Sequence, residues 1–121
     1  MEFKQKQTIY LQIAESICEK IVEEFFPEGT KIPSIRSLAI DMQVNPNTVQ
    51  RTYEHLQAEE IIFTQRGLGY FVAEGAKEKI MLTRKIKFME KELPTLFKSM
   101  VLLDIDMESV SSEFNKFKTK N

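Results

Sequence analysis

The chain predicts an α+β fold that is mostly α: an N-terminal winged helix-turn-helix followed by a short helical dimerisation tail. Three observations predict it. Residues 33–53 read as two short helices joined by a tight turn, two β-prone runs follow around a pair of glycines, and residues 75–121 return to helical periodicity with an excess of apolar side chains. The domain boundaries drawn on this pattern are 1–74 for the winged helix and 75–121 for the helical region.

Each element has its own signal. Thr8 can cap a first helix running to about Phe25, with Ile9, Ile13, Ile17 and Ile21 at four-residue spacing and Ala14 and Phe25 widening the stripe. Pro27-Glu28-Gly29-Thr30 breaks it. Ser34 opens a second helix whose core face is Leu38, Ala39 and Met42, and Gln43-Val44 makes the turn. Asn45 then caps a third helix reaching about Glu59, with Pro46 at the first position, where its missing N–H costs nothing. Val49, Thr52, Tyr53 and Leu56 face inward. Glu60 stands where a helix-ending glycine is expected, so either the helix closes without a left-handed residue or Glu60 is strained.

Ile61–Gln65 and Tyr70–Ala73 are the β-prone runs, and Arg66-Gly67-Leu68-Gly69 between them allows the positive φ of a tight hairpin. This is a wing from which Arg66 can project, or a plain surface hairpin with one exposed arginine. Beyond Gly75, a helix from Ala76 to about Lys91, a break near Leu93-Pro94, a second helix through about Leu103 and a third from Asp106 to about Phe117 are expected. Ile80, Leu82, Phe88, Met89, Leu96, Phe97 and Val101 are among the apolar side chains too numerous for isolated helices to hide. They require a partner surface, either a second copy or the chain's own first helix.

Composition bounds the function. At 121 residues, with 42% hydrophobic and 29% charged, the chain holds one compact domain plus an appendage and leaves no room for a separate catalytic domain. No enzyme activity is expected. The absence of a long apolar run and of a leader at the N-terminus points to a cytoplasmic protein without a membrane partner. A single cysteine, Cys18, and a single histidine, His55, argue against a disulfide, a metal site or any cofactor, and read as a small semi-buried group and a solvated helix residue.

Charge is distributed unevenly. Residues 1–74 carry 7 Lys and Arg against 11 Asp and Glu, a net of −4, whereas residues 30–53 carry Lys31, Arg36 and Arg51 against Asp41 alone. The third helix opens with Asn45, Asn47, Thr48, Gln50 and Arg51, which offer donors and acceptors to base edges and phosphates. Double-stranded DNA is therefore the expected partner, with modest non-specific affinity and dependence on dimeric avidity. The acidic first helix keeps one alternative open, a winged helix serving as a protein-interaction module.

The ordered motifs Ile9-Tyr10-Leu11-Gln12-Ile13, Gly29-Thr30-Lys31-Ile32-Pro33-Ser34, Arg36-Ser37-Leu38-Ala39, Val44-Asn45-Pro46-Asn47-Thr48-Val49 and Arg66-Gly67-Leu68-Gly69-Tyr70-Phe71-Val72 resemble the winged-helix domain of GntR-family bacterial transcription regulators. The resemblance covers about residues 8–73, and the short tail and Asn-Pro-Asn-Thr-Val are most similar to the YtrA subfamily. It implies small homodimers on palindromic operators, often repressors of operons encoding ABC transporters. It places DNA contacts on Ser34, Arg36, Asn45, Asn47, Thr48, Gln50, Arg51, Arg66 and Gly67. Ser34 and Asn45 read equally well as helix caps. Gln50 replaces an arginine common at that position and favours adenine over guanine. The short tail has no room for the ligand-binding domains of larger family branches, and no small-molecule effector is specified.

Overall fold

The computed structural model describes residues 7–120, and its elements run α1 (Ile9–Val22), α2 (Ile35–Met42), α3 (Pro46–Ala58), β1 (Ile62–Gln65), β2 (Gly69–Val72), α4 (Ala76–Lys87), a π-helical turn (Phe88–Glu92), α5 (Leu93–Leu103) and α6 (Met107–Lys120). The reading of the first six residues as lacking a leader lies outside the described residues. Two compact units emerge, Met1–Leu82 and Thr83–Asn121.

The first unit is a winged helix. α1 buries Ile13, Ala14, Ile17 and Ile21, but Ile9 and Phe25, both expected in its stripe, are exposed. Pro27 explains the difference at Phe25, since it disfavours helical backbone at the residue before it and the helix must unwind earlier. Glu24 turns left-handed at φ +63°, and the N–H groups of Phe25 and Phe26 both donate to the Lys20 carbonyl at 2.8 and 3.1 Å. Phe26 thereby packs against the core while Phe25 faces outward.

α2 starts where Ser34 Oγ accepts the Ser37 N–H at 3.0 Å. Its core face is Ala39 with half-buried Ile35 and Leu38; Met42, expected inside, is exposed. The left-handed residue Gln43 (φ 57°) ends the helix right after Met42 and turns Val44 into the core in its place. α3 follows as expected, with Asn45 Oδ1 accepting the Asn47 N–H at 2.7 Å, Pro46 at its start, and Val49, Thr52, Tyr53 and Leu56 fully buried. Glu60 does occupy left-handed backbone, at φ +61°, and lets Ile61 N–H donate to the Leu56 carbonyl at 2.9 Å.

The hairpin pairs Ile62 with Val72 and Gln65 with Gly69, antiparallel. The segment before α2 reads as loop from the sequence, yet it pairs with β2: Lys31 bridges Phe71, Ile32 N–H donates to the Tyr70 carbonyl at 2.9 Å, and Val72 N–H donates to the Thr30 carbonyl at 3.0 Å. Backbone pairing of so few residues imposes no side-chain alternation that periodicity could detect. The start of α4 completes this unit. Ala76 and Ile80 join the core, and the Glu28 carboxylate accepts the N–H groups of Gly75 (3.0 Å) and Lys77 (3.4 Å).

In the second unit, the break expected near Leu93-Pro94 is replaced by a widened helical turn. Leu93 N–H donates to the Phe88 carbonyl, five residues back. A π turn just before Pro94 accommodates the proline's missing N–H and its ring without ending the helix, so helical backbone runs through Leu103. Asp104 (φ 58°) then reverses the chain, and Asp106 Oδ1 caps α6 by accepting the Ser109 N–H at 2.9 Å. Among the described residues of this unit, Met100 is buried; Phe88, Met89, Leu96, Phe97, Val101 and Leu102 are exposed.

Candidate nucleic-acid interface

α3 is held from both sides by residues of its second turn, which fixes the direction of its outward residues. Tyr53 is the anchor. Its hydroxyl donates to the Pro33 carbonyl at 2.6 Å, tying α3 to the entry of α2, and its ring meets that of Tyr70 edge-on at 4.8 Å, tying α3 to β2. Burial, reinforced by the neighbouring Tyr70, pushes the Tyr53 phenol well above its ordinary range, so the hydroxyl stays protonated as a donor. On the other side Thr52 Oγ1 donates to the Tyr10 carbonyl at 2.8 Å and fixes α3 against α1.

Helical spacing follows from this anchoring. With Val49, Thr52, Tyr53 and Leu56 buried, Asn47, Gln50 and Arg51 lie on the exposed side and Thr48 is half-buried at its edge. Asn45 spends one acceptor lone pair on the cap and keeps its amide N–H groups. Gln50 Nε2 donates to the Glu54 carboxylate at 3.3 Å, and the Arg51 guanidinium lies over the Tyr10 ring at 4.0 Å. Asn47, Thr48 and Arg51 share a concavity of about 330 Å³ with Thr8, Ile9 and Tyr10 of the α1 entry.

Ser34 and Arg36 sit at the start of α2, exposed; Ser34 is already engaged as a cap, whereas the Arg36 head group has no partner among the described residues. Arg66 and Gly67 lie in the wing loop, closed by Leu68 N–H donating to the Gln65 carbonyl at 2.8 Å. Gly67 has φ +80°, and a Cβ there would meet nothing within 4 Å, so the loop's backbone is open to solvent. Gly69 is different. A Cβ at Gly69 would lie 2.9 Å from Lys31 Cε, so glycine makes room for the lysine stem along the base of the wing.

Two residues outside the predicted set therefore enter the neighbourhood. Lys31 reaches the wing through the bridge to Phe71, and Tyr10 reaches α3 through Arg51 and Thr52. Their sequence signals, one cation in a turn and one aromatic at a helix start, do not reveal their partners. No helix among the described residues is long and apolar enough to cross a membrane.

A family model of bacterial regulatory proteins of the gntR family matches residues 9–72, the whole of α1 through β2. The chain belongs to the gntR family. It is 37% identical to the HTH-type transcriptional regulator YhcF of Bacillus subtilis, over 96% of this chain and 94% of that one. With the HTH-type transcriptional repressor YtrA of the same organism it shares 32% identity, over 84% of this chain and 78% of the relative. The fold superposes on a GntR-family transcriptional regulator from Bacteroides thetaiotaomicron with a TM-score of 0.82 at 39% identity, covering 93% and 98% of the two chains. This GntR-family member is thus a DNA-binding helix-turn-helix regulator of transcription and not an enzyme.

Proposed function

We propose that the protein acts in the cytoplasm as a homodimeric repressor that sets two copies of α3 into successive major grooves of a palindromic operator, roughly one helical turn apart. The observation that carries this reading is the first turn of α3: its polar side chains point outward while Tyr53 and Thr52 lock the helix onto α2, β2 and α1. Asn47 and Gln50 take adenine edges, Thr48 a phosphate or thymine methyl, Arg36 a phosphate or guanine, and Arg51 a phosphate. Asn45 and Ser34 cap their helices and present the remaining donors to the DNA. Arg66 and Gly67 carry the wing into the flanking minor groove.

Dimerisation rests on residues 83–121, where Phe97, Val101, Leu102, Phe114 and Phe117 are exposed, a density of apolar surface that monomers rarely tolerate. Repression is supported by the likeness to the YtrA repressor, and a transporter operon is the target that the resemblance to the YtrA subfamily implies. Selection of genomic fragments bound by the full chain, followed by footprinting and sedimentation, tests the reading. A palindromic footprint of two half-sites on a transporter promoter, bound by a dimer, is the expected result. Failure to retain any duplex at low salt would instead indicate a protein-interaction module.

A further inference from the structure

We infer that Tyr10 is a positioning residue for DNA binding: its ring holds the Arg51 guanidinium at the α1–α3 concavity, where the guanidinium meets a backbone phosphate. The inference rests on the proposed phosphate contact of Arg51 and adds the element that aims it.

Three observations converge. The Arg51 guanidinium lies 4.0 Å from the Tyr10 ring centroid, within cation–π range, and its N–H donors have no hydrogen-bond partner among the described residues. Glu54, three residues on and within reach of a helical arginine, is engaged by Gln50 instead, so the charge of Arg51 is not cancelled by its natural helical neighbour. Tyr10 is held at both ends, since Thr52 Oγ1 donates to its main-chain carbonyl at 2.8 Å and the His55 ring meets its ring edge-on at 6.0 Å. A long, otherwise mobile side chain is thereby pre-organised where it lines the concavity shared with Asn47 and Thr48. Pre-organisation lowers the ordering cost of a phosphate contact and fixes how deep α3 enters the groove.

The test is a mutant cycle on the full chain, titrated onto a long mixed-sequence DNA duplex over a range of salt. Arg51→Ala should weaken binding roughly five- to tenfold at about 0.1 M salt and reduce the slope of log K against log salt by about 0.9. Tyr10→Leu should produce most of that loss, Tyr10→Phe should restore wild-type binding, and Tyr10→Leu should cost nothing further on the Arg51→Ala background. Additive losses, or a Tyr10→Phe protein as weak as Tyr10→Leu, would overturn the inference while leaving DNA binding intact. Wild-type protein that binds no duplex would remove the underlying reading as well. If Tyr10→Leu does not fold, Arg51→Lys serves in its place. That variant keeps the charge but loses the flat stacking group, so a loss of affinity at unchanged slope is expected, and wild-type affinity counts against the role assigned to Tyr10.

Discussion

Glu60 is the residue at which the chain departs from easy backbone. A non-glycine residue in left-handed conformation costs about 1–2 kcal/mol, and glycine there would return part of that gain as extra freedom in the unfolded chain. The exposed Lys79–Glu60 pair at 3.2 Å offsets little, because solvent screens it. Glu60→Gly should therefore stabilise the protein by about 0.5–1 kcal/mol in urea unfolding; no gain would mean that the local turn is relieved in some other way. Tyr53→Phe should act in the opposite direction. It strips the Pro33 carbonyl of its 2.6 Å donor in a part-buried site, for a cost of about 1–2 kcal/mol, and it loosens α3 against α2. Gln50 poses a question of specificity rather than stability. Its amide must leave the Glu54 carboxylate to read a base, so Gln50→Ala should change the preferred base at one operator step in a binding selection while leaving unfolding unaltered. An unchanged base preference would remove Gln50 from the reading surface.

Among the elements, α3 was the most legible because two local rules agree on it: Asn45-Pro46 is a start signal that needs no tertiary context, and Val49, Thr52, Tyr53 and Leu56 fall on one face. The wing was legible for a similar reason, its two glycines. What stayed hidden was decided by contacts between distant segments. Glu28 caps α4 from 47 residues upstream, and Lys31 pairs with Phe71; neither arrangement leaves a trace in local spacing. The π turn before Pro94 was equally unreadable, since a proline breaks a helix or widens it according to what surrounds it. Of the site, the outward residues of α3 could be named from the sequence, whereas the partners of Arg51 and Gln50 could not. Capping also provides a test at this scale. The Ser109 N–H holds the Asp106 carboxyl below its ordinary value of 3.8, so the cap's contribution is present above that value and is lost as pH falls through the lower folded value. Asp106→Asn keeps a capping oxygen that does not titrate. Circular dichroism below pH 3.8 should show wild type losing more helix than Asp106→Asn, and parallel acid curves would exclude this cap as the source.

For the molecule as a whole, the proposed function gives the two compact units different work, DNA reading to one and pairing of copies to the other, and a truncation tests that division. The boundary read from the sequence suggests a cut after Glu74, but that cut removes Ala76 and Ile80 from the core of the winged helix, together with the Lys77–Glu24 pair and the Gly75 and Lys77 N–H groups that Glu28 accepts. Loss of Ile80 burial alone should cost about 1.5–3 kcal/mol. A chain ending at Leu82 keeps all of these contacts. It should melt cooperatively, sediment as a monomer and bind an operator duplex roughly 100-fold or more weakly than the full chain, because the avidity of two linked recognition helices is gone. Arg66→Ala in the full chain provides the contrast: a loss on every sequence with a flatter salt slope and an unchanged dimer. If the Leu82 chain footprints the operator as tightly as the full-length protein, the exposed apolar helices after Thr83 have some role other than pairing two copies on DNA.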